Sequence, residues 1–286
     1  MNPQINRLQP GLYLIATPIG TARDITLRAL DILASADVLA AEDTRSLRKL
    51  MDIHGIALND RPMFSYHDHN GNQVRPRLMA LLDEGKAVAY ASEAGTPMVA
   101  DPGFDLARAA RDAGHAVVSA PGPSAVVTAL TVGGLPTDRF FFNGFLPNSS
   151  GQRKTALRAL KEVPGTLVFY ESPKRITAML RDAAEVLGPG REAAVCRELT
   201  KKFEEVIRAP LSELAEICDA RAMKGEIVVL IDRPGLPDVS EQDLETLVRQ
   251  ALSEGSVRDA ADKVAERTGL PRRQVYQLAL KLDRDE

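Results

Sequence analysis

The chain has no tryptophan, two cysteines and four histidines, and aromatic residues make up only 5% of its 286 positions. Each scarcity excludes something. Cys196 and Cys218 stand too far apart for a disulfide framework or a zinc pattern, which suits a reducing compartment. His67 and His69 lack a third ligand at useful spacing, so no metal is expected. No apolar run reaches the ~20 residues of a bilayer span, and the first ten residues lack the apolar core of a secretory signal. A cytoplasmic protein with no membrane contact is expected. Charge of one sign is also missing: 36 Lys and Arg face 39 Asp and Glu, a net charge of −3. That excludes a globally basic nucleic-acid binder and leaves only local basic patches.

What is present is 44% hydrophobic residues, enough for more than one core. Short apolar runs at residues 12–16, 38–41, 63–66, 87–91 and 116–119 alternate with amphipathic segments. This predicts a mostly parallel sheet over residues 1–120. A second α/β domain is expected at 121–235, with strands at 140–143, 167–170, 193–196, 204–209 and 226–231. Only residues 197–203 separate two of these strands, too few for a crossover helix, so that pair should be antiparallel and the sheet mixed. The stretch 121–125 reads as a linker that also caps the next helix.

The strand at 87–91 runs into S-E-A-G-T-P-M-V-A-D-P-G, a loop carrying Gly95, Pro97, Pro102 and Gly103 yet keeping Met98 and Val99. Apolar residues inside a loop imply packing there, and glycine lets backbone groups approach a ligand. The other strands of this sheet also end in polar or turn residues: Pro18, Glu42 with Asp43, and His67 with Asn70. In an open α/β sheet that carboxyl edge is the ligand cleft.

After residue 237 the pattern becomes wholly helical, giving a third unit at 240–286. Ser256 can cap a helix that Gly269 ends, and Pro271 opens the next. The run from 267 to 281 holds Arg267, Arg272, Arg273 and Lys281 with no acid, as in a helix-turn-helix reader; a docking hairpin is the alternative. A second acid-free stretch carries Arg139, Arg153, Lys154, Arg158 and Lys161, near Lys174, Arg175 and Arg197. These side chains, with Arg45, are candidate phosphate contacts, against the plainer reading of an exposed, solvated helix face.

Seven motifs in order, Y-L-I-A-T-P-I-G at 13–20, A-E-D-T-R at 41–45, S-Y-H-D-H-N at 65–70, S-E-A-G-T-P at 92–97, P-G-P-S-A at 121–125, F-Y-E-S-P-K-R at 169–175 and C-R-E-L-T-K at 196–201, resemble the RsmI family. Its members are bacterial small-subunit ribosomal RNA 2′-O-ribose methyltransferases with the tetrapyrrole methylase fold. Two departures from the family pattern stand out: Glu93 replaces Asp, and Thr21-Ala22 replaces Asn-Leu. The resemblance implies S-adenosylmethionine as cofactor, contacted by Pro18, Gly95, Thr96, Pro97, Val99, Ser124, Ala125 and Tyr170. It implies small-subunit ribosomal RNA, free or in the assembled subunit, as substrate, a target cytidine in the decoding region, and a homodimer. Candidates for the group that takes the hydroxyl proton are Glu42, Asp43, His67 and Lys201. A tetrapyrrole methylase of the same fold and a non-enzymatic helix-turn-helix regulator remain alternatives.

Overall fold

The computed structural model describes residues 3–99, 103–235 and 241–284; Pro102 of the ligand loop and residues 236–240 lie outside the described residues. The chain divides into two compact units, Met1–Asp232 and Arg233–Glu286.

Among the described residues the first sheet contains β1 (Gly11–Ile15), β2 (Val38–Ala41), β3 (Met63–Ser65), β4 (Ala87–Ala91) and β5 (Val117–Ala120), in the order β3-β2-β4-β1-β5. Every neighbouring pair is parallel. The strands are largely apolar because helices cover both faces. Tyr13, Ile15, Leu39, Ala41 and Ala89 pack against α1 (Leu27–Ser35) and α2 (Thr44–Ile53). The alternate residues Leu12, Leu14, Val38, Val88 and Tyr90 pack against α3 (Gly71–Asp83) and α4 (Phe104–Asp112). Thr26 and Asp43 start α1 and α2 by accepting the backbone N–H of Ala29 and Arg45.

The second sheet has the order β6-β7-β10-β8-β9, from β6 (Phe140–Phe145), β7 (Thr166–Glu171), β8 (Glu192–Arg197), β9 (Glu205–Pro210) and β10 (Ile227–Ile231). β6 and β7 are parallel and the other pairs antiparallel, including β8 with β9, as the short spacing requires. One face packs on α6 (Ser150–Leu160), α7 (Ile176–Leu187) and α8 (Leu211–Asp219). The other face packs on α5 (Ala125–Val132) and also receives Ile19 and Val99 from loops of the first sheet. Ser124 occupies the position before α5 but makes no side-chain cap, which corrects the expected role of the 121–125 stretch; its carbonyl accepts from the Thr128 hydroxyl at 2.8 Å instead.

The expectation that α6 turns Arg153 to solvent is also corrected. Arg153 shares the inward stripe of Leu157 and Leu160, its side chain is 5% exposed, and its guanidinium meets Asp182 of α7 at 2.6 Å. Lys154 beside it pairs with Glu185 at 2.6 Å.

The C-terminal unit comprises α9 (Glu241–Leu252), α10 (Val257–Thr268) and α11 (Arg272–Arg284), closed around Leu244, Val248, Ala261, Val264, Val275 and Ala279. Ser256 and Asp259 form a reciprocal capping box, and Gly269, at φ 65°, ends α10 in the left-handed conformation.

Asp182→Ala leaves the Arg153 charge buried with its main partner gone, so it should lower the unfolding free energy of the protein by about 3–5 kcal/mol in denaturant titrations. The double change Arg153→Met with Asp182→Leu should recover most of that loss.

Candidate active site

β1 and β4 are neighbours, but the chain leaves β1 for a helix on one sheet face and β4 for a helix on the other. A crevice opens where such connections diverge. It is shaped by one backbone bridge: the Thr17 N–H donates to the Gly95 carbonyl at 2.9 Å, and the Gly95 N–H returns to the Thr17 carbonyl at 3.0 Å. Two buried hydroxyls reinforce it, Thr17 donating to the Ser92 carbonyl at 3.1 Å and Ser92 to the Gly95 carbonyl at 2.6 Å. Gly95 holds φ 80°, and a Cβ there would find only ordinary contacts, the nearest being Ile19 Cγ2 at 3.4 Å. Conformation, not crowding within the chain, therefore demands glycine here. Thr96 ties this loop to the start of α5 by donating to the Pro123 carbonyl at 2.9 Å.

The crevice is a cleft of about 680 Å³ walled by both sheets. Pro18, Gly95, Thr96, Val99, Ser124, Ala125 and Tyr170 line it, whereas Pro97 is buried off its surface. Phe142 and Phe145 set their rings edge-on to Tyr170, at 5.0 and 5.6 Å between centroids. Glu42 and Lys201 also line the wall. Asp43 does not: it caps α2 and pairs with Arg45 at 3.3 Å. His67 lies off the wall as well. Its backbone N–H donates to Asn70 Oδ1 at 2.9 Å, and its buried Nδ1 has no hydrogen-bond partner among the described residues. No group of three His, Cys, Asp or Glu side chains that could hold a metal occurs among the described residues.

Lys201 stands in a strained turn after β8, where Glu198 and Thr200 take φ values of 51° and 64°. Such backbone persists only where its surroundings fix it. Here Lys201 Nζ donates to Glu198 Oε1 and Glu226 Oε2, both at 2.9 Å. Burial pulls the Lys201 pKa down, but the hydrogen bonds to Glu226 and Glu198 outweigh it and leave the pKa raised. Lys201 is therefore a fixed cation at neutral pH, not a proton acceptor. The first sheet reaches this turn directly: the Thr21 hydroxyl donates to the Thr200 carbonyl, and a Cβ on Gly20 would lie 2.5 Å from Lys201 Cγ. Cys196, on the same wall, has its thiol pushed up to about 12 by burial and is no nucleophile.

Glu171 ends β7 with a side chain 1% exposed. Its Oε1 accepts from the Ser172 N–H at 2.7 Å, and burial raises its pKa. Arg175 faces it at 3.2 Å and donates to the Leu146 carbonyl at 2.6 Å and Asn148 Oδ1 at 2.5 Å, bracing the loop between β6 and α6.

The pattern of the tetrapyrrole (corrin/porphyrin) methylases matches residues 11–215, and that of the RsmI C-terminal helix-turn-helix domain matches residues 238–283. Ribosomal RNA small subunit methyltransferase I of Mesorhizobium japonicum is 47% identical over 96% of this chain and 93% of its own length. Its counterpart in Vibrio cholerae is 44% identical over 95% and 94%. The chain belongs to the ribosomal RNA small subunit methyltransferase I family. The fold recurs in the uroporphyrin-III C-methyltransferase of Thermus thermophilus complexed with S-adenosylhomocysteine. That structure is 21% identical, with a TM-score of 0.54, over 77% of this chain and 96% of the other.

Within this family member the basic candidates separate by environment. Arg45 and Lys174 are exposed, Arg45 while paired with Asp43. Arg175 is the brace just described, and Arg197 is half-buried against Glu205 at 3.2 Å. In the C-terminal unit Arg273 is exposed, and Arg272 is exposed and paired with Asp262. Thr17, Ser92, Glu198 and Glu226 shape the cleft but were not among the expected site residues. Thr17, Ser92 and Glu198 fall inside the motifs at 13–20, 92–97 and 196–201, whereas Glu226 lies outside every motif.

The hydrogen bond from Lys201 holds Glu198 below the ordinary carboxylate range. The stabilisation it brings is therefore complete above the unfolded value of about 4.3 and is lost as pH falls through the lower folded value. Unfolding titrations should show Glu198→Gln less stable than the parent at neutral pH, with the two converging below about pH 4.

Proposed function

We propose that this protein transfers a methyl group from S-adenosylmethionine to the ribose 2′-hydroxyl of a cytidine in the decoding region of small-subunit ribosomal RNA. It does so in the cytoplasm, without a metal, as a homodimer. The observation that carries the reading is the cleft at the diverging ends of β1 and β4. Apart from Lys201, which is bound by two carboxylates, its charged side chains among the described residues are Glu42, Glu93, Glu171 and Glu226. An acid-lined wall fits a sulfonium cofactor, and the backbone at Gly95 and Thr96 fits its polar groups. A family member with this cleft and a matching C-terminal helix-turn-helix domain is better suited to RNA than to a tetrapyrrole. Edge strand β6 leaves Phe140 and Phe141 exposed, apolar surface at the rim of the sheet that suits a second copy.

When bound, S-adenosylmethionine supplies an electrophilic methyl. Pro18, Gly95, Thr96, Val99, Ser124, Ala125 and Tyr170 hold and orient that cofactor, while Pro97 stiffens the loop. Orientation contributes much of the rate, because transfer needs an in-line approach of the hydroxyl oxygen. Glu42, on the wall at the carboxyl end of β2, is the group placed to take the hydroxyl proton. Asp43 positions it by starting α2, His67 shapes the neighbouring loop, and Lys201 keeps the opposite wall fixed. Arg45, Lys174, Arg197, Arg272 and Arg273 supply positive charge for phosphates. Arg153, Lys154 and Arg175 serve the RNA indirectly by fixing α6 and its preceding loop.

Glu42→Gln should bind S-adenosylhomocysteine, which carries no sulfonium charge, with unchanged affinity in calorimetry, with or without chelator, while single-turnover transfer at saturating S-adenosylmethionine falls about 10²- to 10⁴-fold. A near-normal rate removes Glu42 from the chemistry. Arg273→Glu with Lys281→Glu should lower methylation of small subunits and reduce the salt slope of RNA binding by about 1 to 2, leaving cofactor affinity intact. An unchanged slope makes the C-terminal unit a docking hairpin.

A further inference from the structure

A second cavity of about 170 Å³ adjoins the cleft. The two spaces share Pro18, Gly20, Ser46 and Glu93, so they meet at a common wall. The smaller one lies well below the ~300–1,000 Å³ of sites that take a whole cofactor, and suits a single flat ring. α2 contributes Leu47, Leu50 and Ile53 to this cavity, beside Ser46 and Lys49, and Thr17 and Ser92 add hydroxyl-bearing residues; Ile53 is 54% exposed and joins no core cluster among the described residues. Pro18 offers a further apolar surface, and the charged groups on the cavity are Lys49 and Glu93.

Walls of aliphatic and hydroxyl side chains with one carboxylate and one ammonium suit a heterocycle edge that carries an amine donor beside ring acceptors. Cytosine presents that pattern, its N4 amine matched by a carboxylate acceptor. Uracil has a carbonyl where cytosine has the amine and would set oxygen against oxygen. We infer that this cavity takes the base of the target cytidine, with Glu93 accepting from its N4 amine. The ribose then crosses the shared wall of Pro18, Gly20, Ser46 and Glu93, so its 2′-hydroxyl enters the cleft while the base stays outside the cofactor's space. A base extruded from its stack is commonly read in this way, by its edge in a snug pocket. The inference rests on the proposed ribose methylation.

Small ribosomal subunits carrying cytidine or uridine at the target position distinguish the outcomes. For each variant of the full chain, kcat and KM are measured on both substrates, and the affinity for S-adenosylhomocysteine is measured by calorimetry. The parent should prefer cytidine. Glu93→Gln, whose amide can donate to a uracil carbonyl, should reduce that preference about tenfold or more. Glu93→Asp, which retains a carboxylate, should keep most of it. Ile53→Trp, which narrows the cavity from an exposed position, should raise KM for RNA. S-adenosylhomocysteine affinity should be unchanged in all three. A Glu93→Gln preference equal to the parent's overturns the inference, as does weakened S-adenosylhomocysteine binding in Ile53→Trp, which would assign the cavity to the cofactor. A parent protein that methylates neither substrate overturns the proposed function as well.

Discussion

The two backbone hydrogen bonds between Thr17 and Gly95 are the constraint on which the cleft depends. β1 and β4 lie side by side, yet their chains depart to opposite sheet faces, and nothing in the parallel ladder fixes the loops beyond the strand ends. The bridge does, and it explains the residues around it. Gly95 must adopt φ 80° to return its N–H to Thr17, and the buried hydroxyls of Thr17 and Ser92 are oriented by bonds to the same short segment. With that segment fixed, Ile19 and Val99 are delivered into the core of the second sheet, so the cleft wall and the packing of the two sheets are set by one local event.

The opposite wall is fixed electrostatically. Lys201 gathers Glu198 and Glu226, which are separated by 28 residues in sequence, and Thr21 bonds to the same turn from the first sheet. In a half-buried site such charge-assisted bonds fix geometry more than they add stability. Glu42 and Glu93 line the same space as this paired wall.

Much of this was legible in sequence because it is locally encoded. Apolar runs of four or five residues with intervening amphipathic segments give the parallel sheet, and seven residues between β8 and β9 force an antiparallel pair. Pro18 and Gly95 were readable as cleft residues because turn chemistry at a strand's carboxyl end has few other uses. Arg153 was misread because its partner, Asp182, lies on a different helix, and a basic residue on an amphipathic helix is ordinarily solvated. The supposed Ser124 cap failed for a similar reason. Residue type marks a capping position, but the hydrogen bond depends on where the side chain turns in context. Glu198 lay inside the motif at 196–201 without a readable role, and Glu226 had no local signal, since their pairing arises only where the β8–β9 turn meets the start of β10.

The family assignment makes the chain a small-subunit ribosomal RNA methyltransferase, and the product we propose is a ribose methyl group on that RNA. Mapping 2′-O-methylation across that RNA, from cells with and without an intact copy of this chain, tests the account most directly. It predicts that one cytidine in the decoding region loses its ribose methyl when the chain is absent and regains it when the chain is restored. Identical methylation maps, or a loss confined to a base rather than a ribose, would contradict it.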